Sequence, residues 1–163
     1  MLILKWLMAV LLALTLAAVA AAQMGWLGGK APTDLGVHDG KLKSPSLTPN
    51  SVSSQAALYP DHPQRLGAQI APLVLRGDGP ATLARLQRVV AAMPGARIVT
   101  STPDYLHAEY TTRLMKYVDD VEFWLDPKAQ VIQVRSASRV GKSDLGVNRE
   151  RVEAVRQILA SQP

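Results

Sequence analysis

The first 22 residues constrain this chain more than any other stretch. Met1–Ala22 carries a single charged side chain, Lys5, followed by the apolar run Trp6–Ala22, which ends Ala20-Ala21-Ala22-Gln23. A run that is apolar on every side has no polar face to turn to water, so it does not suit a surface helix of a globular domain. Two readings stand. A short basic start, an apolar middle and an Ala-x-Ala end describe a secretory signal peptide cleaved near Ala22. Apolar character also resumes after Gln23 with Met24, Trp26 and Leu27, and the next charge is Lys30. A span from Trp6 to Gly29 meets the roughly 20 residues a transmembrane helix needs, with Trp6 and Trp26 placed near the two interfaces, where indole rings prefer to lie. Lys5 against Lys30 orients such an anchor weakly. Either reading carries the remaining chain across a membrane. The expected location is the bacterial inner membrane with the domain in the periplasm, or the periplasm itself after cleavage.

The absence of cysteine from the 163 residues removes several classes of chemistry at once. There can be no disulfide scaffold, thiolate zinc or iron–sulfur site, cysteine nucleophile or lipid-modified cysteine anchor. The charge of +5 is dispersed, acids alternate with bases, and no aromatic-rich stacking motif appears. Nucleic acid is therefore not an expected partner.

Three regions follow: a signal or anchor over 1–29, a tether and irregular arm over 30–65, and a domain over 66–163. Seven of the eleven prolines lie between Pro32 and Pro80, which makes regular structure sparse there. Gln69–Leu75 reads as a first strand. Asp78-Gly79-Pro80 starts a helix, Leu83, Leu86, Val90 and Met93 recur at helical spacing, and Pro94-Gly95 ends it. Arg97–Ser101, Tyr105–Thr112, Asp119–Asp126 and Gln130–Ala137 read as strands, the last two joined through a turn at Asp126-Pro127-Lys128-Ala129. A closing helix spans Asn148–Ala160, with Asn148 as its N-cap and Val152, Val155, Ile158 and Leu159 as its apolar stripe. This order describes an α+β domain, an antiparallel sheet of about five strands with two helices on one face.

Alternation divides the strands into two faces. Val121, Phe123, Leu125, Ile132 and Val134, with Leu106, Ala108 and Tyr110, form the core side, and a register set by the 126–129 turn pairs Trp124 with Val131 and Phe123 with Ile132. The other side holds His107, Glu109, Asp120, Glu122, Trp124, Gln133 and Arg135, with Glu122 opposite Gln133 and Asp120 opposite Arg135. This polar cluster supports proton transfer or a hard metal ion in one reading. The other is a solvated outer face with cross-strand ion pairs, as a one-sided antiparallel sheet requires. His-x-Glu spacing without further ligands does not define a metal site, and no cofactor is expected.

The segment Arg135–Arg151 combines five cationic residues, two glycines and a helix start. Arg139, Lys142, Asn148, Arg149 and Arg151 are candidates for holding a carboxylate or phosphate. The plainer reading is a strand-to-helix loop with glycine turns. Gly141-Lys142-Ser143 is not a P-loop, because the glycine required five residues earlier is Ser136. No Gly-x-Ser-x-Gly elbow is present either.

The runs Asp119-Asp120-Val121-Glu122-Phe123, Val134-Arg135-Ser136-Ala137-Ser138-Arg139-Val140-Gly141 and Asp144-Leu145-Gly146-Val147-Asn148-Arg149 resemble the bacterial and plastid "domain of unknown function 1499". In the arm, Leu35-Gly36-Val37 and Pro49-Asn50-Ser51-Val52-Ser53-Ser54 look like that family's opening motifs. The resemblance covers about Asp34 to Leu159. It implies that the arm belongs to the domain, and it supplies no catalytic residue. This chain departs from the pattern at Ser51, where many members carry Cys, with another Cys just upstream, so any role of those cysteines does not operate here.

These features lead to a ranked expectation. First is a non-catalytic membrane-anchored or exported envelope protein, a protein-interaction domain or accessory subunit of a membrane complex with a protein partner in the envelope. Second is a periplasmic module for an anionic or apolar small ligand, enclosed between the sheet and the last helix. Third is a hydrolase or metal-assisted enzyme using His107, Glu109, Asp120 and Glu122. Enzymatic activity is left open, with the balance against it, and no ligand is named.

Overall fold

A computed structural model describes residues 1–161. Helix α1, Leu2–Gln23, has no glycine or proline within it, as the good helix formers Leu, Ala and Met demand. It stops in a glycine-capped turn. Gly25 adopts φ +82°, its N–H bonds Ala22 O, and the Trp26 N–H reaches back to Ala21 O, the double bonding of a Schellman cap. Residues 1–18 are exposed throughout, while Ala22 is fully buried against the domain.

The arm is largely irregular but adds a short strand, β1 (Ser51–Ser53), and a single 3-10 turn at Ala56–Leu58. Strand β2 (Leu73–Val74) is shorter than the 69–75 stretch expected, and Gln69 makes only an isolated bridge to Ser53. Helix α2 (Gly79–Ala91) begins as expected, with the Asp78 carboxylate accepting from the Ala81 N–H at 2.8 Å. Strands β3 (Ala96–Ser101), β4 (Tyr105–Thr111), β5 (Val118–Asp126) and β6 (Val131–Ser138) then form an antiparallel meander. Helix α3 (Val147–Ser161) closes the described chain. The sheet order is β1-β6-β5-β4-β3, and β2 pairs with β6 on the edge that β1 also uses.

Both faces come out as the alternation requires, but the β5–β6 pairing is shifted by two residues. Leu125 pairs with Ile132, Phe123 with Val134, Trp124 with Gln133 and Glu122 with Arg135. The turn is the cause. Asp126 pairs with Val131 across a four-residue loop, Pro127–Gln130, in which Gln130 takes φ +55°. The Asp126 carboxylate holds the loop by accepting from the N–H groups of Lys128 and Ala129, both at 3.0 Å. A two-residue loop would have given the expected register; a two-residue shift changes partners without exchanging faces.

Helices α2 and α3 pack on one face. Leu83, Leu86, Val90, Val152, Val155 and Leu159 meet Leu106, Ala108, Val121, Phe123, Ile132 and Val134 in one apolar core. The opposite face lies beneath the arm, whose Leu42 and Ala56 are buried, while Val52 of β1 joins the helix-side core. Arm, sheet and helices thus form three layers.

Candidate functional site

The polar side of the sheet is not solvated. Glu122 is 0% exposed, Asp120 1%, Arg135 4% and His107 8%, because the arm lies across them. Close approach of the arm begins at Gly36, whose N–H donates to Glu122 Oε1 at 2.8 Å, and Gly40 comes up to the Trp124 ring. Buried charges of this kind persist only when paired and hydrogen-bonded.

Two groups satisfy that demand. In the first, Arg139 donates through Nε to Asp120 Oδ2 and through a terminal nitrogen to Oδ1, both at 2.8 Å, and also binds Glu109. His107 Nε2 stands 2.9 Å from Asp120 Oδ1, and Arg97 binds the outer oxygen of Glu109 at 2.6 Å. Burial alone would raise the Asp120 pKa, but the hydrogen bonds from Arg139 and His107 outweigh it and hold the carboxyl at about 2. Burial likewise pushes Glu109 up and its two arginines bring it below the usual range. The Arg139 pKa is raised, chiefly by its bond to Asp120. In the second group, Glu122 accepts from the Tyr105 hydroxyl at 2.8 Å and lies 3.4 Å from the Arg135 guanidinium, whose Nε donates to Ser44 O in the arm at 3.2 Å. Burial and the neighbouring Glu122 both raise the Tyr105 pKa.

A third group lies on the helix face. Asn148 is fully buried inside α3, so it is not the N-cap. Capping falls to the side chain of Asp144, whose carboxylate accepts from Gly146 N (3.1 Å) and Asn148 N (2.9 Å); burial pushes its pKa up, and these N–H bonds outweigh that and hold it below the usual range. The Asn148 amide instead donates to Asn50 O (3.0 Å) and Ser138 Oγ (3.1 Å), while the Asn50 amide donates to Gly141 O (2.8 Å). Arg151 donates to Asn148 Oδ1 and Ser136 Oγ, pairs with Asp119, and stacks 4.7 Å from the centre of the Tyr110 ring. Burial pushes the Tyr110 hydroxyl up to about 12, with Arg151 opposing. Three of the sequence motifs, around Asn50, Ser136–Gly141 and Asp144–Arg149, therefore meet as a clamp joining arm, sheet and helix.

The residues expected to form a site are thus divided among distinct places. His107, Glu109, Asp120 and Arg139 share one group, and Glu122 and Arg135 share another. Trp124 is 9% exposed beneath the arm, on the opposite face from α3. Of the candidate anion holders, Arg151 and Asn148 lie in the clamp, Arg149 donates to the carbonyls of Gly67 and Gln69, and Lys142 is exposed. They do not converge on one point. A cavity of about 400 Å³ opens between arm and sheet, lined by Lys43, Ser44, His62, Arg135 and Arg139 among others. Three of its cations, Lys43, Arg135 and Arg139, already pair with carboxylates. Among the described residues, no group of three or more His, Cys, Asp or Glu side chains is placed to hold a metal ion. Sequence reasoning missed Tyr105, Asp119, Asn50 and Gly36. The adjacent acids Asp119-Asp120 were a legible signal, since alternation sends them to opposite faces with a need for two separate cations.

The class defined by these observations is a small α+β domain with charged groups locked beneath its own arm, carried on an apolar N-terminal helix long enough to span a bilayer or serve as a signal. The chain belongs to the family described as protein of unknown function (DUF1499), which matches residues 41–159. No curated protein and no solved structure matches.

Proposed function

We propose that this chain is a membrane-anchored envelope protein whose domain works without catalysis, as an interaction domain or accessory subunit of a membrane complex. The observation that carries this reading is the junction between α1 and the domain. Ala22 is fully buried, Gln23 Nε2 donates to Leu114 O at 2.8 Å, and a Cβ on Gly29 would lie 2.8 Å from both Arg139 Cβ and Val140 Cγ1. A signal peptide is discarded, so packing its cleavage point into the mature fold serves nothing, whereas a retained anchor gains a fixed orientation. We therefore favour anchor over cleaved signal, with the domain in the periplasm.

The polar layer supports the non-catalytic part. Catalytic acids and bases need access to substrate and freedom to exchange protons, yet the buried carboxylates here are engaged by arginine, histidine, tyrosine or a backbone N–H. A ligand enclosed between the sheet and α3 would need space that Val152, Val155 and Leu159 fill. The test is extraction of the native protein from its own membranes in mild detergent. A stoichiometric protein partner is expected to copurify; a clean monomer with no partner overturns the accessory-subunit reading.

A further inference from the structure

The end of the domain beside α1 carries a concentration of exposed apolar side chains that the fold does not need. Trp26 is 72% exposed, Leu114 60% and Leu145 91%. Leu145 also takes φ +53°, a conformation leucine rarely adopts. Leu114 belongs to the β4–β5 loop, whose Thr112 and Tyr117 are hydrogen-bonded across its base. A cavity of about 500 Å³ separates that loop from the start of α3, lined by Trp26, Leu27, Tyr117, Val140, Leu145 and Val147 among others. Around it stand Arg113, Lys116 and Lys142. Arg113 and Lys116 line an adjoining cavity, and Lys142 lies between the lining residues Gly141 and Ser143. None of the three has a carboxylate partner among the described residues. Of the nearby acids, Asp119 is paired with Arg151 and Asp144 caps α3, which leaves Glu150.

We infer that this end of the domain is a lipid-contacting face, seated on the anionic headgroups of the bilayer that holds α1. The inference rests on the anchored reading above and goes beyond it, since an anchor alone permits any orientation. Its occupant is fixed by continuity. At 22 residues α1 is about 33 Å long, close to the roughly 30 Å of bilayer hydrocarbon, so its last residue lies at the interface. Gln23, that residue, is hydrogen-bonded to Leu114 O, and the Leu114 loop lies at the same level. Apolar side chains then enter the headgroup boundary, the Trp26 ring occupies the zone indoles prefer, and the three cations meet lipid phosphates.

The cysteine-free chain allows single labels to be placed without a background. Leu12→Cys, Leu114→Cys, Leu145→Cys and Val74→Cys, made separately in the full chain, carry a fluorophore into vesicles of phosphatidylcholine and phosphatidylglycerol with brominated acyl chains. Val74, 65% exposed and paired with Val131 at the far end of β6, is the distal control. The expected result is loss of emission at Leu12, Leu114 and Leu145 with none at Val74. Quenching at Leu12 alone, with Leu114 and Leu145 behaving as Val74 does, overturns the lipid face and leaves the anchor standing. No quenching at Leu12 overturns the anchor and the face together. Omitting phosphatidylglycerol, or combining Arg113→Gln, Lys116→Gln and Lys142→Gln, is expected to reduce quenching at Leu145. No change on either treatment overturns the anionic part of the assignment.

Discussion

Arg139 is the side chain on which the polar layer depends most. It is 7% exposed at its side chain and neutralises both Asp120 and Glu109. Arg139→Ala leaves the buried Asp120 carboxylate without its arginine and Glu109 with Arg97 alone, and such a loss costs about 3–5 kcal/mol; urea unfolding at neutral pH measures it. Acid should act through the same group. The Asp120 carboxyl sits at about 2 in the folded protein against 3.8 for an ordinary aspartate, so between those values the unfolded chain holds more protons and acid favours unfolding. The contribution, on the order of 2 kcal/mol, is in place above the unfolded value and is lost as the pH falls from there toward about 2. Urea midpoints compared between about pH 5 and about pH 2.5 should fall more steeply in the native chain than in the Arg139→Ala variant. At this scale the sequence was legible in part. Period-two alternation placed His107, Glu109, Asp120, Glu122 and Arg135 on one face, because a strand leaves no other choice. That they are buried was not legible, because burial comes from the arm, and a segment rich in proline and glycine has no period that says where it lies. The sign it did carry is Gly36 and Gly40, the two points where backbone comes close to Glu122 and Trp124.

Among the elements, α3 shows how a local rule is satisfied by a different residue from the one composition suggests. Asn148 has the chemistry of an N-cap, yet Asp144 performs the capping and Asn148 goes inward to bind Asn50 and Ser138. Asp144→Ala removes acceptors for two N–H groups and should destabilise the protein by about 1 kcal/mol in thermal or urea unfolding. Asn148→Ala should cost more, since it removes from a buried site the acceptor shared by Ser136 and Arg151 and the donor to Asn50 O and Ser138 Oγ. The β5–β6 loop teaches a related lesson. Proline at 127 announced a turn, but the length of the loop, and with it every cross-strand partner, was decided by Asp126 and by Gln130 taking a left-handed conformation. Composition names a turn more readily than it counts its residues.

The whole molecule consists of a domain sealed by its own arm and joined to an apolar helix with little slack. Gly29 is the tightest point of that joint. It takes φ +73°, and an added Cβ would press on Arg139 and Val140. Gly29→Ala should therefore loosen the junction while leaving the distant core near Phe123 intact. Limited proteolysis should show new cleavage between Gln23 and Lys30 in the variant, with the domain fragment still resistant. The anchor-or-signal ambiguity of the first 22 residues was real at the level of sequence, since both demand an apolar run ending in small residues. The packing of Ala22, Gln23 and Gly29 on the domain is what supports the proposed anchor over a cleaved signal. The central claim is that this joint is kept in the working protein, and the intact mass of the native chain taken from its own membranes tests it most directly. A mass that retains the residues from Met1 or Leu2 onward is the predicted result. A chain beginning at Gln23 would contradict the account.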